Sequence, residues 1–346
     1  MTADKHDLTA YVLLTITVVI WGSSWPLGRW MVSASFGATA PPMVIATLRY
    51  VLVCAIFLLM LRLTEGEVGW GFAKQHWLAL ALMGFFSVLV YQVGYLFGEL
   101  FTAASDASLV VATGPIWVLI FSTVALKEDL NRQKIIGTVL AFSGVLVIVG
   151  FSPNVNVENR LLGDALILMA AVSYGLYTVL LRKFFNDSKK AGEQVSSLRA
   201  LTWISVYGLL FLTPAMVLTA PDYVNPEMLA NVHLRIWLGI VYLATFSTVV
   251  AYLFYTEGVA RLDASRAAIF INGVPMVGVL LSGLFLGERI DPIIHSVALV
   301  LVVMGVSLVN RNGKAKALPR AVPTSPTGLL TCDGGLGEQP EPEEVV

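Results

Sequence analysis

Residues 104–129 read ASDASLVVATGPIWVLIFSTVALKED, and residues 264–289 read ASRAAIFINGVPMVGVLLSGLFLGER. Laid over one another at a shift of 160 residues, they match Ala104 with Ala264, Ser105 with Ser265, Ala107 with Ala267, Pro115 with Pro275, Ser122 with Ser282, Leu126 with Leu286 and Glu128 with Glu288. The same shift, carried upstream, lays Tyr95 on Tyr255 and Gly98 on Gly258. Each stretch holds an apolar run of about the 20 residues that a helix needs to cross a hydrocarbon layer of ~30 Å. The chain repeats a membrane-crossing unit.

Working outward, apolar runs of similar length fall near residues 11–31, 42–63, 76–98, 104–126, 133–151, 161–184, 196–219, 235–258, 264–287 and 293–310. The opening runs of the halves also correspond, Trp21-Gly22 with Tyr174-Gly175 and Leu48-Arg49 with Leu198-Arg199. Residues 11–151 and 161–310 thus form two repeats of five spans. An odd number of spans makes the repeats enter the membrane in opposite directions. The expected fold class is an all-α membrane protein with ten transmembrane helices as two inverted five-helix repeats. Inverted repeats are characteristic of secondary transporters, which hold their cargo near the midplane between the halves.

Composition agrees. The chain of 346 residues is 57% apolar and only 13% charged, with mean hydropathy +0.78. Soluble domains carry about 25% charged residues, so a water-exposed globule is excluded. A net charge of −1 without a basic stripe gives no nucleic-acid partner. The cysteines, Cys54 and Cys332, form no disulfide framework, and His6, His76, His233 and His295 are too scattered for a metal site. No phosphate loop, paired catalytic carboxylates or nucleophile elbow is present, so neither an enzyme nor a cofactor is expected. The run from Tyr11 to Met31 exceeds the 7–15 apolar residues typical of a secretory signal. Residues 311–346, with five prolines and four glutamates, read as a disordered tail.

Orientation follows from the basic residues. With the 1–10 segment inside, seventeen Lys and Arg fall on the inner side and only Arg29, Arg160, Arg235 and Arg289 on the outer. Both termini are expected in the cytoplasm, in a multi-pass protein of the cell membrane.

Candidate cargo-binding residues come from depth and face. Trp21 and Trp25, Tyr91 and Tyr95, Tyr174 and Tyr177, and Tyr252 and Tyr255 are each three or four residues apart, which places each pair on one helix face. Trp21 and Tyr174 lie too deep for an interfacial belt, whereas Tyr95 and Tyr255 lie near span ends and read as belt residues. Trp117 falls at similar depth to Trp21. Arg49 sits about seven residues into its span, where a guanidinium could receive a carboxylate or serve structure alone. Pro115 and Pro275 fall near mid-span and release the carbonyls of Val111 and Ile271 from their helices. Asn272, close to Pro275, carries an amide in need of a partner. Glu99, Asp106 and Glu257 lie near span ends; Glu99 is expected in an exposed turn, so transport should not depend on a buried acid. Glu128 and Glu288 are expected to cap or pair at loops. Gly94-x-x-x-Gly98 and Gly283-x-x-x-Gly287 signal close helix packing.

The opening Ile20-Trp21-Gly22-Ser23-Ser24-Trp25, the run from Ala104-Ser105 to Pro115, and Ala264-Ser265 followed by Pro275 and Leu286-Gly287-Glu288 resemble the EamA branch of the drug/metabolite transporter superfamily. The resemblance covers residues 11–310 and departs at Lys127, where that family usually has glycine. It implies ten spans in two inverted halves and export or exchange of amino acids, related metabolites or drugs. The expected partners are a small-molecule substrate and the lipid bilayer, with a homodimer left open. A multidrug exporter, and a membrane sensor or scaffold without flux, stay open as alternatives.

Overall fold

A computed structural model describes residues 3–126, 131–154, 159–261, 270 and 272–310. Lys127, Glu128, Ala264, Ser265, Ile271 and the 311–346 tail lie outside the described residues. The described structure is helical throughout, without strands. Among the described residues, nine helices are long and apolar enough to cross a membrane: α1 (Leu8–Val32), α2 (Pro42–Glu65), α3 (Trp77–Phe101), α4 (Ala104–Ala125), α5 (Arg132–Phe151), α6 (Arg160–Lys190), α7 (Ser197–Thr219), α8 (Leu234–Tyr255) and α10 (Pro292–Val309). Between the last two lies the shorter apolar helix α9 (Gly273–Leu286).

Local chemistry sets the ends. Pro42 occupies the first turn of α2, where its missing amide costs nothing, and Gly66 closes that helix at φ 75°. The Ser196 hydroxyl caps α7 at Arg199 N (3.0 Å), and the Asn131 side chain caps α5 at Lys134 N (2.9 Å). Three helices are irregular inside. Helix α3 widens to π-helical turns at Phe85–Val90 and Val93–Phe97, and α8 does so at Leu243–Val250. Helix α4 is interrupted between Val111 and Gly114, just before Pro115.

Polarity is turned inside out. Leu218, Val124, Leu284 and Phe285 face outward, more than three-quarters exposed, while Arg29, Glu99, Asp106 and Asp164 are buried. Such a surface suits lipid, and the ionisable groups inside must find partners within the bundle. The main packings are α1 on α9 and α8, α4 on α6 and α9, α3 on α6 and α7, α2 on α7 and α8, and α5 on α10. Replacing every helix by the one five places along returns this same set of pairs. Close approach is built from glycine: a side chain at Gly137 would overlap the Gly305 carbonyl, and one at Gly305 the Gly137 carbonyl, so α5 and α10 touch backbone to backbone.

Candidate functional site

Four helices supply a continuous cluster of aromatic rings. From α1, Trp25 meets Tyr95 of α3 edge-on at 5.0 Å, and Tyr95 lies 6.2 Å from Tyr91. Tyr91 meets Tyr174 of α6 at 6.0 Å, and Tyr174 meets Tyr177 at 5.8 Å. The hydroxyls of Tyr174 and Tyr177 hydrogen-bond with Tyr252 of α8, and Trp21 lies 6.3 Å from Tyr252 and 5.4 Å from Tyr255. Tyr174 is flanked by these rings and lies next to Gly114 at the break in α4, yet 41% of its surface remains accessible. Offset and edge-on rings of this kind accept apolar or aromatic groups at their faces and polar groups at hydroxyls.

The irregular turns feed polar atoms to this cluster. Trp21 Nε1 donates to Ser247 O (3.0 Å) within the π-helical part of α8. A widened turn frees carbonyls from the regular ladder, which is why such turns recur at functional sites. Tyr95 donates its hydroxyl to Ser24 O (2.6 Å), and the Ser24 and Ser247 hydroxyls lie 2.8 Å apart.

Arg49, from α2, is 9% exposed and donates through one terminal nitrogen to Thr248 Oγ1 of α8 (2.9 Å). Its Nε is buried with no partner. Its charge lies within electrostatic reach of Tyr91 and Tyr95. A guanidinium has five donors in a planar fork, so Arg49 keeps donors beyond its bond to Thr248.

A second polar cluster joins α1, α3, α4, α6 and α10. Arg29 donates to the backbone carbonyls of Glu99 and Thr102 and lies 3.4 Å from Glu288. Glu288 accepts from Ala104 N (2.8 Å) and Ser105 N (2.9 Å), a charged cap on the first turn of α4. Glu288 pairs and caps as its place after α9 suggests; Glu128 lies outside the described residues. Asp106 pairs with Arg160 (3.3 Å) and lies 3.6 Å from His295 Nε2, while Asp164 accepts from Thr102 Oγ1 (2.6 Å).

Two expectations are corrected. Glu99 does not sit in an exposed turn: it is 0% exposed, because α1 lays Gly28 and Arg29 across the last turn of α3. Tyr95 and Tyr255 are not belt residues: Tyr95 is buried against Trp25, and Tyr255 packs on Trp21. Position along a helix measured their distance from its end, not the cover supplied by its neighbours. Of the remaining candidates, Trp21, Trp25, Tyr91, Tyr174 and Tyr177 share the ring cluster and Arg49 adjoins it. Trp117 packs on Phe142 of α5 (5.5 Å) and beside Gly175. Asn272 donates to Ser307 of α10 (3.0 Å). Pro115 stands in the first turn of the second part of α4 and Pro275 in the first turn of α9, so both follow a helix start rather than bend a continuous helix. Thr248 adjoins the same cluster through Arg49, and Tyr252 belongs to it; the alignment of Tyr95 with Tyr255 was the available signal that both of its ends belong inside.

A bundle of lipid-facing helices that share an internal cluster of rings and a buried guanidinium is the build of a membrane carrier. The chain belongs to the EamA-like transporter family, whose model matches residues 8–150 and 161–311. It is similar to YetK of Bacillus subtilis (strain 168), named an uncharacterized transporter, with 27% identity over 306 residues and 87% of each chain covered. A protein of Streptantibioticus cattleyicolor named a "Probable terminal-alkyne amino-acid exporter" is 26% identical over 299 residues, covering 86% of this chain and 92% of that one. A solved crystal structure shares the fold at 17% identity with a TM-score of 0.57, covering 88% of this chain and 98% of that one. The protein is a multi-pass membrane transporter of the EamA family.

Proposed function

We propose that the protein moves amino acids or closely related carboxylate-bearing metabolites across the cell membrane by alternating access, as an exporter or exchanger. The observation that carries this reading is Arg49, a buried guanidinium with an unpartnered Nε within electrostatic reach of Tyr91 and Tyr95. A carboxylate on Arg49 would gain charge-assisted hydrogen bonds, and the cargo's side chain would lie against Tyr91, Tyr174 and Trp21. The relative named a "Probable terminal-alkyne amino-acid exporter" supports the cargo class. The helix pairing that survives a shift of five helices supports two equivalent halves, here taken as inverted, with the site shared between them. Inner-side placement of both termini follows from the basic residues.

The test is counterflow in proteoliposomes with a panel of radiolabelled L-amino acids, against the corresponding amines and nucleosides. Saturable exchange of amino acids that is lost in Arg49→Ala supports the reading. Exchange of amines or cationic drugs in preference to amino acids favours a multidrug carrier, and binding without exchange favours a sensor.

A further inference from the structure

Among the described residues, Glu99 is the carboxyl group with both oxygens buried and without a hydrogen-bond partner. The groups facing it come from every neighbouring helix. From α1, Arg29 stands over its backbone and the bare Cα of Gly28 touches Oε2, where a side chain would overlap both Glu99 Oε2 and the Tyr95 hydroxyl. From its own helix, Tyr95 has its hydroxyl committed as a donor to Ser24 O, leaving the phenolic oxygen free to accept. Asp106 of α4 and His295 of α10 lie together with Arg160, Asp164 of α6 is held by Thr102, and Glu288 is held by Arg29 and the start of α4.

The charges do not balance. Glu99, Asp106, Asp164 and Glu288 face the guanidiniums of Arg29 and Arg160 and the ring of His295, four acids against at most three cations. Each guanidinium already has a side-chain carboxylate closer than Glu99: Arg29 has Glu288 and Arg160 has Asp106. An ionised Glu99 would be an unpaired charge away from water, which the protein interior does not sustain. A metal cation does not resolve this, because the carbonyls of Glu99 and Thr102 that would ligate it already accept from Arg29. A proton does. It neutralises the carboxyl, which lies with the Tyr95 hydroxyl against Gly28.

We propose that Glu99 is a proton-binding site of the carrier, occupied in the packed arrangement of α1, α3 and α4 and emptied when that end of the bundle opens to water. The proposal rests on the reading of the protein as a carrier. It ties proton and cargo through one helix, since Tyr91, Tyr95 and Glu99 follow each other at intervals of four on α3, and Tyr91 and Tyr95 belong to the ring cluster. Opening that hydrates Glu99 must move Tyr95 off Trp25. The proton is lost to water and the carboxylate gains solvation in its place, so the step balances without a co-reactant.

The test uses the purified full chain in proteoliposomes. Infrared difference spectra across a pH series should show a protonated carboxyl band at neutral pH that is absent in Glu99→Gln and shifted in Glu99→Asp. With radiolabelled L-leucine and L-propargylglycine as probes, Glu99→Gln should retain counterflow within about twofold and lose at least tenfold in accumulation driven by a pH gradient. Gradient-driven accumulation that survives in Glu99→Gln, or a carboxyl band that the substitution leaves unchanged, overturns the proposal. If the wild type exchanges neither probe, the amino-acid reading fails on its own, and the infrared band decides whether Glu99 holds a proton.

Discussion

The guanidinium Nε of Arg29 lies 3.4 Å from the carboxylate of Glu288, and both side chains are buried. One acid thereby neutralises a cation of α1 and caps the first turn of α4, 184 residues away in sequence. Removing it in Glu288→Ala leaves a buried charge and two open amides. Breaking a buried pair from one side costs roughly 3–5 kcal/mol. Thermal unfolding in detergent should show a clear loss of melting temperature, larger than that of Glu288→Gln, which keeps an acceptor for the amides. The double change Arg29→Leu with Glu288→Leu should lose less than the sum of its parts.

Arg49→Ala should weaken binding of carboxylate-bearing probes by about 10–100-fold, the range of a charge-assisted hydrogen bond of ~1.5–3 kcal/mol. Arg49→Lys should recover part of that, since a point charge replaces the fork. Binding isotherms of L-leucine and of its decarboxylated amine, compared in both variants, separate the carboxylate contribution from the ring contacts. Equal losses for acid and amine would show that Arg49 only holds Thr248 in place.

Trp21 should respond in two steps. Trp21→Phe removes the donor to Ser247 O while leaving a ring against Tyr252 and Tyr255. The lost hydrogen bond is worth about 0.5–1.5 kcal/mol, so cargo affinity should fall only a few-fold. Trp21→Ala also removes the ring wall and should abolish saturable counterflow.

The crossing of α5 and α10 predicts a purely structural effect. A methyl group at Gly305 has no room against the Gly137 carbonyl and Ala141. Gly305→Ala should destabilise by roughly 1–3 kcal/mol through overpacking. Gly150→Ala, where the added carbon meets open space, should leave the melting temperature unchanged or slightly raised, because alanine favours helix.

Reporter fusions near Lys5 and after Arg311 should both read out in the cytoplasm, as the seventeen-to-four distribution of basic residues requires. Placement of both fusions outside would reverse the assignment of every loop.

The sequence alone determined that the chain lives in a membrane, where its helices run and that it repeats itself, because length, apolar content and spacing are local quantities. It also placed backbone breaks at Pro115 and Pro275, since a proline acts on its own backbone wherever the helix packs; the structure puts each of them in the first turn of a helix. Most of the ring cluster was legible too, because three- and four-residue spacing fixes a face. Only the tertiary structure decided which residues that face meets. Tyr95 and Tyr255 stand near the ends of their spans, but α1 covers one with Trp25 and the other with Trp21. Trp117 and Asn272 stand at depth, but their side chains go to Phe142 and Ser307. Glu99 is the sharpest case: two residues before the end of α3, it has no water because Gly28 lets α1 lie directly upon it. Position along one helix is written in that helix; burial belongs to the helices that cross it, and the residues that allow a crossing lie elsewhere in the chain.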